Sequence, residues 1–440
     1  MRGTTFIAIA GVVAVALVAF TAYELASSPT SSRGAAPVAT VTTTAGGSQS
    51  PAAGHGNGHG SGGGQGGPAA VSAAIGLRPG AVSPSAAGLG AAMAVLPKLS
   101  TLQLAGQRVF YSYLGPTPPS SLLWLISHGE AAGVIFFGDN VGTTPAQLAN
   151  FRHVVAELKA ADQASSNPVH LPLLLMTDQE GGQVRRLPGA PVLSEKQIGE
   201  SSDPSAQATL AGHGAAADLR GFGLDVNLAP VLDVFRTPGN FIDEFGRSYS
   251  SDPHAAAALG ADFIKAQQAG GVAATAKHFP GLGAAAAGQD TDVRPVTLNL
   301  TLNQIRTIDE LPYKSAIPAG VKLVMVSWAT YPALDSRYPA GLSRTIVHGE
   351  LRMRLGFAGV TITDALEAGA LKSFGATANR ATLAAKAGMD LLLCAAENPA
   401  QGDDATHALS AYYTAGSAAV KAAFKAAAER VLALRATLPS

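Results

Sequence analysis

A series of short apolar segments, separated by alanine-rich segments of helical period, constrains the fold of this chain more than any other sequence feature. Each apolar segment is bounded by Gly, Pro or Asp. Continuous apolar strands of this kind are typical of a parallel sheet that is buried on both faces. Seven such segments are predicted as strands: 133–137, 171–177, 224–230, 271–278, 321–328, 359–363 and 389–394.

The segments between these strands predict the helices that a parallel sheet requires. Residues 146–162 have a helical period between two predicted strands, and residues 418–436 have one after the last strand. This alternation predicts an α/β fold, a single (β/α)8-type TIM barrel of regular or irregular form. An open doubly wound sheet is the second choice, because no Gly-rich nucleotide-binding loop follows the first strand.

The N-terminal part of the chain differs from the rest. Arg2 precedes an uncharged apolar run at 6–20, which predicts a signal peptide or membrane anchor over residues 1–26. Residues 27–95 are mostly Ser, Thr, Gly, Ala and Pro, a composition that predicts a disordered linker. The barrel is therefore expected to cover 96–440. The protein is expected to be exported, with membrane contact only through an uncleaved N-terminal segment.

Composition argues against several classes of partner and cofactor. The chain has 30 basic and 30 acidic side chains and no long basic run, so nucleic acid is a poor candidate for a partner. Cys394 is the single cysteine, which excludes an internal disulfide and a site of several thiolates. No His pair has metal-binding spacing beside a carboxylate cluster. We therefore expect neither a metal nor a cofactor.

Polar side chains stand at the ends of three predicted strands. Asp178, the pair Lys277 and His278, and Asp364 each lie at or just after such an end. The carboxyl ends of parallel strands converge on one face of a barrel, where active sites form. An Asp after a strand often caps the next helix instead. Three such positions together predict a site for a polyhydroxylated or anionic ligand.

Two arginines lie in loops that could reach the same face. Arg186 follows Asp178 within one loop, and Arg247 lies in a polar loop after the predicted strand 224–230. Spacing alone does not separate a ligand-binding role from a solvated surface position for either side chain. Asp233 is expected to bond backbone groups in a turn.

Seven motifs occur in a fixed order from residue 133 onward. They read GVIFFGDN, TDQEGGQVRRL, VNLAPVLDV, GRSYSSDP, KHFPGLG, LSRTIVHGELRMRLGFAGVTITDALEAGAL and AGMDLLL. Together they resemble glycoside hydrolase family 3, in particular its single-domain β-N-acetylhexosaminidase branch. The resemblance implies a (β/α) barrel and a retaining, exo-acting β-glycosidase that uses a carbohydrate substrate and no cofactor.

The resemblance also implies roles for the residues at the strand ends. Asp364 corresponds to the family's nucleophile, which attacks the anomeric carbon and forms a covalent glycosyl-enzyme that water resolves. Carboxylate and guanidinium groups suit the binding of sugar hydroxyls, because each can make two hydrogen bonds at once. The residues implied to bind the sugar are Asp178, Arg186, Arg247, Lys277 and His278.

The chain departs from this branch in the loop that carries the general acid/base. Leu282 replaces a histidine of the branch, and Asp292 replaces its acid/base histidine. Asp292 could act as the acid/base, with the nearby carboxylate of Asp290 raising one of the two pKa values. Alternatively, Asp290 is the acid and Asp292 supports it. In the third interpretation the acid/base is lost, and the barrel binds sugar without hydrolysing it.

The substrate is predicted less directly than the reaction. An exported enzyme on a long tether would meet cell-wall polymers, so we expect terminal β-linked N-acetylglucosaminides of cell-wall origin, such as peptidoglycan fragments. β-Glucosides and β-xylosides are the alternatives, because the missing histidine weakens the transfer of specificity from the branch.

Overall fold

The computed structural model describes residues 86–439, and ten strands lie in this part of the chain. They are β1 (Val109–Tyr111), β2 (Gly133–Ile135), β3 (Leu174–Thr177), β4 (Gln179–Gly181), β5 (Val184–Arg185), β6 (Val226–Asn227), β7 (Ala273–Phe279), β8 (Leu323–Val326), β9 (Val360–Ala365) and β10 (Leu391–Leu393). Eight of them close a parallel barrel in the order β1-β10-β9-β8-β7-β6-β3-β2, and β4 and β5 form a separate antiparallel hairpin. The closed barrel confirms the predicted fold class.

Helices surround the barrel and connect its strands. The α-helices are α1 (Ala86–Val95), α2 (Thr101–Gly106), α3 (Ser120–Ser127), α4 (Gly138–Val141), α5 (Pro145–Asp162), α6 (Glu195–Gly199), α7 (Pro204–Phe222), α8 (Pro253–Ala269), α9 (Leu302–Gln304), α10 (Leu311–Ala316), α11 (Thr377–Ala387), α12 (Pro399–Ala415) and α13 (Ala418–Arg435). Short 3-10 helices cover Leu96–Lys98, Ala340–Leu342 and Gly369–Phe374, and π-helices cover Ile305–Asp309 and Thr345–Arg354. The two helices predicted from periodicity correspond to α5 and α13.

Local sequence signals set the starts of the longer helices. Thr144 caps α5 in a reciprocal capping box with Gln147, and Ser417 accepts a hydrogen bond from the first turn of α13. Four of the longer helices begin with proline, whose missing N–H costs nothing at this position. These first residues are Pro145, Pro204, Pro253 and Pro399.

All seven predicted strands are present, but the sequence analysis missed β1. Its three residues, Val109 to Tyr111, are fully buried and pair with both β2 and β10. Buried polar residues flank it on both sides, Arg108 before and Ser112 after. The strand therefore lacks the continuous apolar run that marked the other seven.

Side chains that alternate along the strands form two apolar layers. One cluster contains Phe110, Met176, Met325 and Ile362 from four different strands, together with Leu434 of α13. The residues that alternate with them, such as Tyr111 and Leu175, belong to the larger cluster that also includes helix side chains. Each strand is thus buried on both faces, as continuous apolar segments require.

Helix α1 corrects the predicted linker boundary. It lies within 27–95, the range assigned to the linker, yet it packs against α13. Ala92 and Val95 are buried in a small cluster with Leu432 and Ala433. The folded part of the chain therefore begins at least ten residues before the predicted start of the barrel at residue 96. An alanine-rich composition hid this helix, because alanine is common both in linkers and in helices that pack closely.

The predicted signal peptide or anchor (1–26) and residues 27–85 of the predicted linker lie outside the described residues. Between residues 86 and 439, no helix is both long and apolar enough to cross a membrane.

Removal of α1 should destabilise the barrel. We expect a protein that starts at residue 96 to have a lower free energy of unfolding than one that starts at residue 86. The difference should be on the order of 2 kcal/mol, because Leu432 and Ala433 lose the apolar contacts that Ala92 and Val95 provide. Urea unfolding measures it, with a protein that starts at residue 66 as the control. Equal stability of all three proteins would contradict the role given to α1.

Candidate functional site

The carboxyl ends of β3, β7 and β9 bring the predicted polar residues to one face of the barrel. Lys277 lies near the end of β7, and its ammonium group donates a hydrogen bond of 2.7 Å to Oδ1 of Asp178, just after β3. Asp364 is the penultimate residue of β9. Because all three strands are parallel, their last residues meet at the same mouth.

A buried carboxylate that the sequence analysis missed connects two of the predicted cations. Both oxygens of Glu180 bind Arg247, at 2.8 and 2.9 Å, and Oε1 also lies 2.6 Å from the ammonium of Lys277. Burial alone would raise the pKa of Glu180, but Arg247 and Lys277 outweigh it and lower the pKa to about 2. The sequence signal that could have identified Glu180 is its position two residues after Asp178, in the segment that forms the β4–β5 hairpin.

A second buried acid, Glu195, lies next to this group. Its Oε1 accepts a hydrogen bond of 2.8 Å from the backbone N–H of Val231, while its buried Oε2 has no hydrogen-bond partner among the described residues. Burial first, and then the charge of Glu180, raise the pKa of Glu195 well above its usual range. Glu195 therefore favours its protonated form more than an ordinary carboxyl group does, which opposes a second negative charge beside Glu180. Sequence spacing gave no signal for this contact.

The imidazole of His278 is fixed by Asp233. Its Nδ1 lies 2.7 Å from Oδ2 of Asp233, and because a carboxylate can only accept, Nδ1 carries the hydrogen. The other oxygen of Asp233 accepts backbone hydrogen bonds from His278 and Leu282, at 3.3 and 2.6 Å. Asp233 thus bonds backbone groups, as predicted, and it also orients the histidine and holds the start of the following loop.

Arg186 has a buried guanidinium nitrogen without a partner. Its backbone N–H donates to the carbonyl of Asp178 and to the side chain of Gln179, at 3.2 and 3.1 Å, so the loop is held beside the end of β3. Its Nε is shielded from solvent and makes no hydrogen bond with the described residues. A donor in this position is available to a ligand oxygen.

The loop after β7 is fixed against the segment that follows β9. Oδ1 of Asp290 accepts a 2.8 Å hydrogen bond from the backbone N–H of Asp292. The N–H groups of Gly369 and Ala370 donate to the carbonyls of Asp292 and Thr291, at 2.7 and 3.0 Å.

Gly369 is the residue that allows this close approach. A Cβ atom added there would lie 2.0 Å from the carbonyl oxygen of Val293, closer than backbone atoms tolerate. The loop and the segment after β9 therefore meet backbone to backbone, which only glycine permits at this position.

Asp292 lies within electrostatic reach of Asp364. Partial burial, and then the negative charges of Asp364, Asp290 and Glu367, raise the pKa of Asp292 to about 8. Asp292 also has an exposed face, where water screens part of these effects, but every neighbour except Arg247 acts in the same upward direction. Asp292 therefore holds its proton to a higher pH than an ordinary carboxyl group does.

Glu367 is a further carboxyl group at this mouth that the sequence analysis missed. Its Oε2 accepts hydrogen bonds from the side chain of Gln401 and the backbone of Ala395, at 3.0 and 3.2 Å. Burial raises its pKa, and the charge of Asp364 acts in the same direction. Its place three residues after Asp364 was the signal available in the sequence.

Trp328 supports the end of β9, and its buried ring does not offer a face on which a sugar could stack. Its side chain is only 1% exposed, and its indole N–H donates a 2.8 Å hydrogen bond to the carbonyl of Ala365. Within residues 86–439, no three side chains of His, Cys, Asp or Glu converge as they would around a metal ion.

Comparison of the sequence with known families and proteins gives consistent results. Residues 114–434 match the glycosyl hydrolase family 3 N terminal domain. An "uncharacterized secreted glycosyl hydrolase" of Arthroderma benhamiae is 47% identical over 334 residues, which cover 76% of this chain and 93% of that protein. A β-hexosaminidase of Stenotrophomonas maltophilia is 33% identical over 296 residues, 65% of this chain and 82% of that protein.

Solved structures of similar fold carry related names. The glycoside hydrolase family 3 β-N-acetylglucosaminidase of Paenibacillus sp. str. FPU-7 matches with a TM-score of 0.70 and 33% identity, over 77% of this chain and 63% of that one. The β-N-acetylhexosaminidase of Beutenbergia cavernae matches with a TM-score of 0.69 and 31% identity, over 77% of this chain and 98% of that one. The chain therefore belongs to glycoside hydrolase family 3, and it is a glycoside hydrolase.

Proposed function

We propose that this glycoside hydrolase is a retaining, exo-acting β-N-acetylglucosaminidase, with Asp364 as nucleophile and Asp292 as general acid/base. The observation that supports the proposal is the docked loop, which holds Asp292, a carboxyl group of raised pKa, within electrostatic reach of Asp364. A carboxyl group that keeps its proton near neutral pH is what the general acid of a retaining glycosidase requires.

The proposed reaction has two steps. Protonated Asp292 donates its proton to the glycosidic oxygen while a carboxylate oxygen of Asp364 attacks the anomeric carbon, so that the leaving alcohol departs and a glycosyl ester forms. Asp292, now ionised, then takes a proton from water, whose oxygen attacks the same carbon and releases the sugar and free Asp364. The raised pKa of Asp292 suits the first step, and its partial exposure suits the second, which needs water.

The hydrogen bonding of the loop favours Asp292 over Asp290 as the acid. One oxygen of Asp290 accepts the backbone N–H of Asp292, so this carboxyl group is already engaged inside the loop. The charge of Asp290 in turn raises the pKa of Asp292. A supporting role for Asp290 follows.

Sugar binding is proposed to use the donors that internal contacts leave available. Lys277 has three N–H groups, and Asp178 and Glu180 accept two of them. Arg247 uses Nε and Nη2 on Glu180, which leaves Nη1, and Arg186 contributes its unpartnered Nε. The remaining proposed contacts are the carboxylate of Asp178 and the ring of His278.

The proposed substrate and location draw support from the relatives. Proteins that are 33% identical carry the names β-hexosaminidase and β-N-acetylglucosaminidase, and the relative that is 47% identical carries the name of a secreted hydrolase. We therefore propose export and the cleavage of terminal β-N-acetylglucosaminides of cell-wall origin, such as peptidoglycan fragments. Substitution of the branch's acid/base histidine by Asp292 keeps β-glucosides and β-xylosides as the second candidate.

Removal of each proposed catalytic group should have a different effect on hydrolysis of 4-nitrophenyl β-N-acetylglucosaminide. Asp364→Ala should lower kcat by at least about 10³-fold, because the covalent step is lost. Asp292→Ala should keep more activity, because nitrophenolate leaves without an acid. Azide, an anionic nucleophile that needs no general base, should restore turnover by attacking the glycosyl ester in place of water, which releases Asp364 and a glycosyl azide. The measurement is steady-state kinetics with and without azide, using a protein that starts at residue 86.

Asp404→Ala, at an exposed position on α12, is the matched control and should hydrolyse the substrate at the unaltered rate. Turnover by the Asp364→Ala variant at the wild-type rate would contradict the role of Asp364 as the nucleophile. Sugar binding by the wild type without turnover of either a β-N-acetylglucosaminide or a β-glucoside would favour a binding barrel that has lost its acid/base.

The pH dependence of kcat/KM should report the proton on Asp292. For substrates with poor leaving groups, kcat/KM should fall above a pH of about 8, because Asp292 then loses the proton it must donate. Asp290→Asn removes a neighbouring negative charge and keeps the oxygen that accepts the Asp292 N–H. The fall should therefore begin about half a unit lower. A 2,4-dinitrophenyl glycoside, which needs no acid, should show no such fall, and an unshifted profile in the variant would count against Asp292.

Gly369→Ala should separate acid catalysis from nucleophilic attack. The added Cβ forces apart the loop and the segment after β9, so Asp292 moves while Asp364 stays in β9. Hydrolysis of methyl β-N-acetylglucosaminide should fall by about 10²-fold, and hydrolysis of the 2,4-dinitrophenyl glycoside should fall much less. Gly221→Ala, whose Cβ meets no atom within 4 Å, is the control. Equal losses for both substrates would show general damage instead of a displaced acid.

A further inference from the structure

A cavity of about 370 Å³ lies away from the catalytic mouth, near the opposite ends of the strands. Arg108, directly before β1, and Met389, two residues before β10, contribute to its wall. Its sides come from the π-helix Thr345–Arg354, the end of α11, and α13. The proposed hydrolysis at the mouth uses none of these residues.

Five cationic side chains line this cavity: Arg108, Arg344, Arg352, Lys386 and Arg430. Arg344 and Arg352 lie eight positions apart, at the start and end of one π-helix, with the cavity-lining His348 between them. The other three come from different elements. Long-range folding, and not a run of basic residues in the sequence, therefore brings these charges together.

The acidic groups nearby do not balance these cations. Asp390 binds both Arg352 and Arg430, the latter through hydrogen bonds of 3.1 and 2.8 Å to Oδ1. Glu429 is a second acid within electrostatic reach of Arg430: burial raises the pKa of Glu429, and the positive charge of Arg430 acts in the opposite direction. Asp390 thus offsets part of the charge of the five cations, and no Asp or Glu is among the residues that line the cavity, so positive charge is in excess along its wall.

Several of the donors at this cavity have no partner within residues 86–439. Arg352 is 6% exposed, and its Nε is shielded from water and makes no hydrogen bond with the described residues. Arg344 and Lys386 are exposed and form no ion pair with any carboxylate of the described residues. A buried guanidinium nitrogen without an acceptor is unfavourable, so an anion in the cavity would supply what the protein lacks.

The pKa values of the buried arginines also indicate that an anion in the cavity would be favourable. Burial, together with the charge of Arg430, lowers the pKa of Arg108 and of Arg352 to about 10 each, against the favourable effect of Asp390. Burial and the surrounding arginines also lower the pKa of His348, so this histidine is neutral at neutral pH and is not a sixth cation.

Aromatic rings hold two of the cations in place. The guanidinium of Arg108 lies 4.0 Å from the ring centroid of Phe424, and the ammonium of Lys386 lies 5.8 Å from that of Tyr412. Small side chains on the facing side of α13, such as Ala423 and Ala427, leave the space between them open. The site is therefore built before any ligand binds.

The chain's own N-terminal part does not carry the complementary charge. No Asp or Glu occurs between Glu24 and Glu130, so the whole predicted linker lacks an acidic side chain. The linker therefore does not supply the anion. Five cations around a cavity that no Asp or Glu lines match a dianion better than a single carboxylate, and guanidinium groups bind phosphate oxygens in pairs.

We propose that this cavity is a phosphate-binding site, which takes inorganic phosphate or the phosphate group of a small phosphate monoester. The cluster of Arg108, Arg344, Arg352, Lys386 and Arg430 supplies the donors, and Asp390 holds Arg352 and Arg430 in position. The site is independent of the proposed glycosidase activity.

Isothermal titration calorimetry of the full chain with inorganic phosphate, at constant ionic strength, tests the proposal. We expect saturable binding with a Kd at or below about 1 mM and weaker binding of acetate, a monoanion. The double variant Arg344→Gln, Lys386→Gln should bind phosphate at least about tenfold more weakly, because it loses two charged donors. Lys425 is an exposed residue of α13 that does not line the cavity. Lys425→Gln removes its charge and should leave phosphate binding unchanged.

Melting temperature in phosphate-free buffer checks that the double variant is folded, since neither Arg344 nor Lys386 is buried. Glycerol 3-phosphate distinguishes the two sources: binding as tight as that of phosphate supports a monoester ligand, and exclusive binding of phosphate supports the free ion. Absence of saturable binding to the wild type would overturn the proposal. Retention of full affinity by the folded double variant would also overturn it.

Discussion

The pairing of buried Glu180 with Lys277 and Arg247 is the interaction on which the candidate site at the barrel mouth depends. Lys277 is 2% exposed, so its positive charge is stable there only because Glu180 and Asp178 lie against it. Removal of one member of such a group leaves an uncompensated buried charge, which typically costs about 3–5 kcal/mol. The same contacts fix the direction of the remaining donors. Stability and the geometry of the mouth therefore rest on the same side chains.

The acids at the barrel mouth have different pKa values because their surroundings differ. The pKa of Glu180 is lowered because two cations contact it, whereas the pKa of Glu195 is raised because burial and the charge of Glu180 oppose its ionisation. The same principle acts on Asp292, whose neighbours are mostly negative. A chain that replaces an imidazole with a carboxyl group at this position can thus still hold a proton near neutral pH, provided that the loop keeps the acid beside Asp364.

The sequence predicted the barrel well and its details unevenly. Seven strands were visible because each is a continuous apolar segment, whereas β1 was missed because buried Arg108 and Ser112 flank its three residues. Helix α1 was assigned to the linker because its composition resembles that of the residues before it. Among the site residues, Asp178, Lys277 and Asp364 were visible as polar residues at strand ends. Glu180 and Glu367 were not, because they lie two and three residues beyond these positions, where the sequence does not show which way a side chain points.

What the sequence by itself determined is the alternation of strands and helices, the polar strand ends, and the family motifs in order. These are local patterns, and a parallel barrel follows from them because its strands must be buried on both faces. Only the tertiary structure decided which charges meet. Contacts between Lys277 and Asp178, or between Arg430 and Asp390, join residues 99 and 40 positions apart. Their pKa values and free donors depend on distance in space, which one-dimensional spacing does not specify.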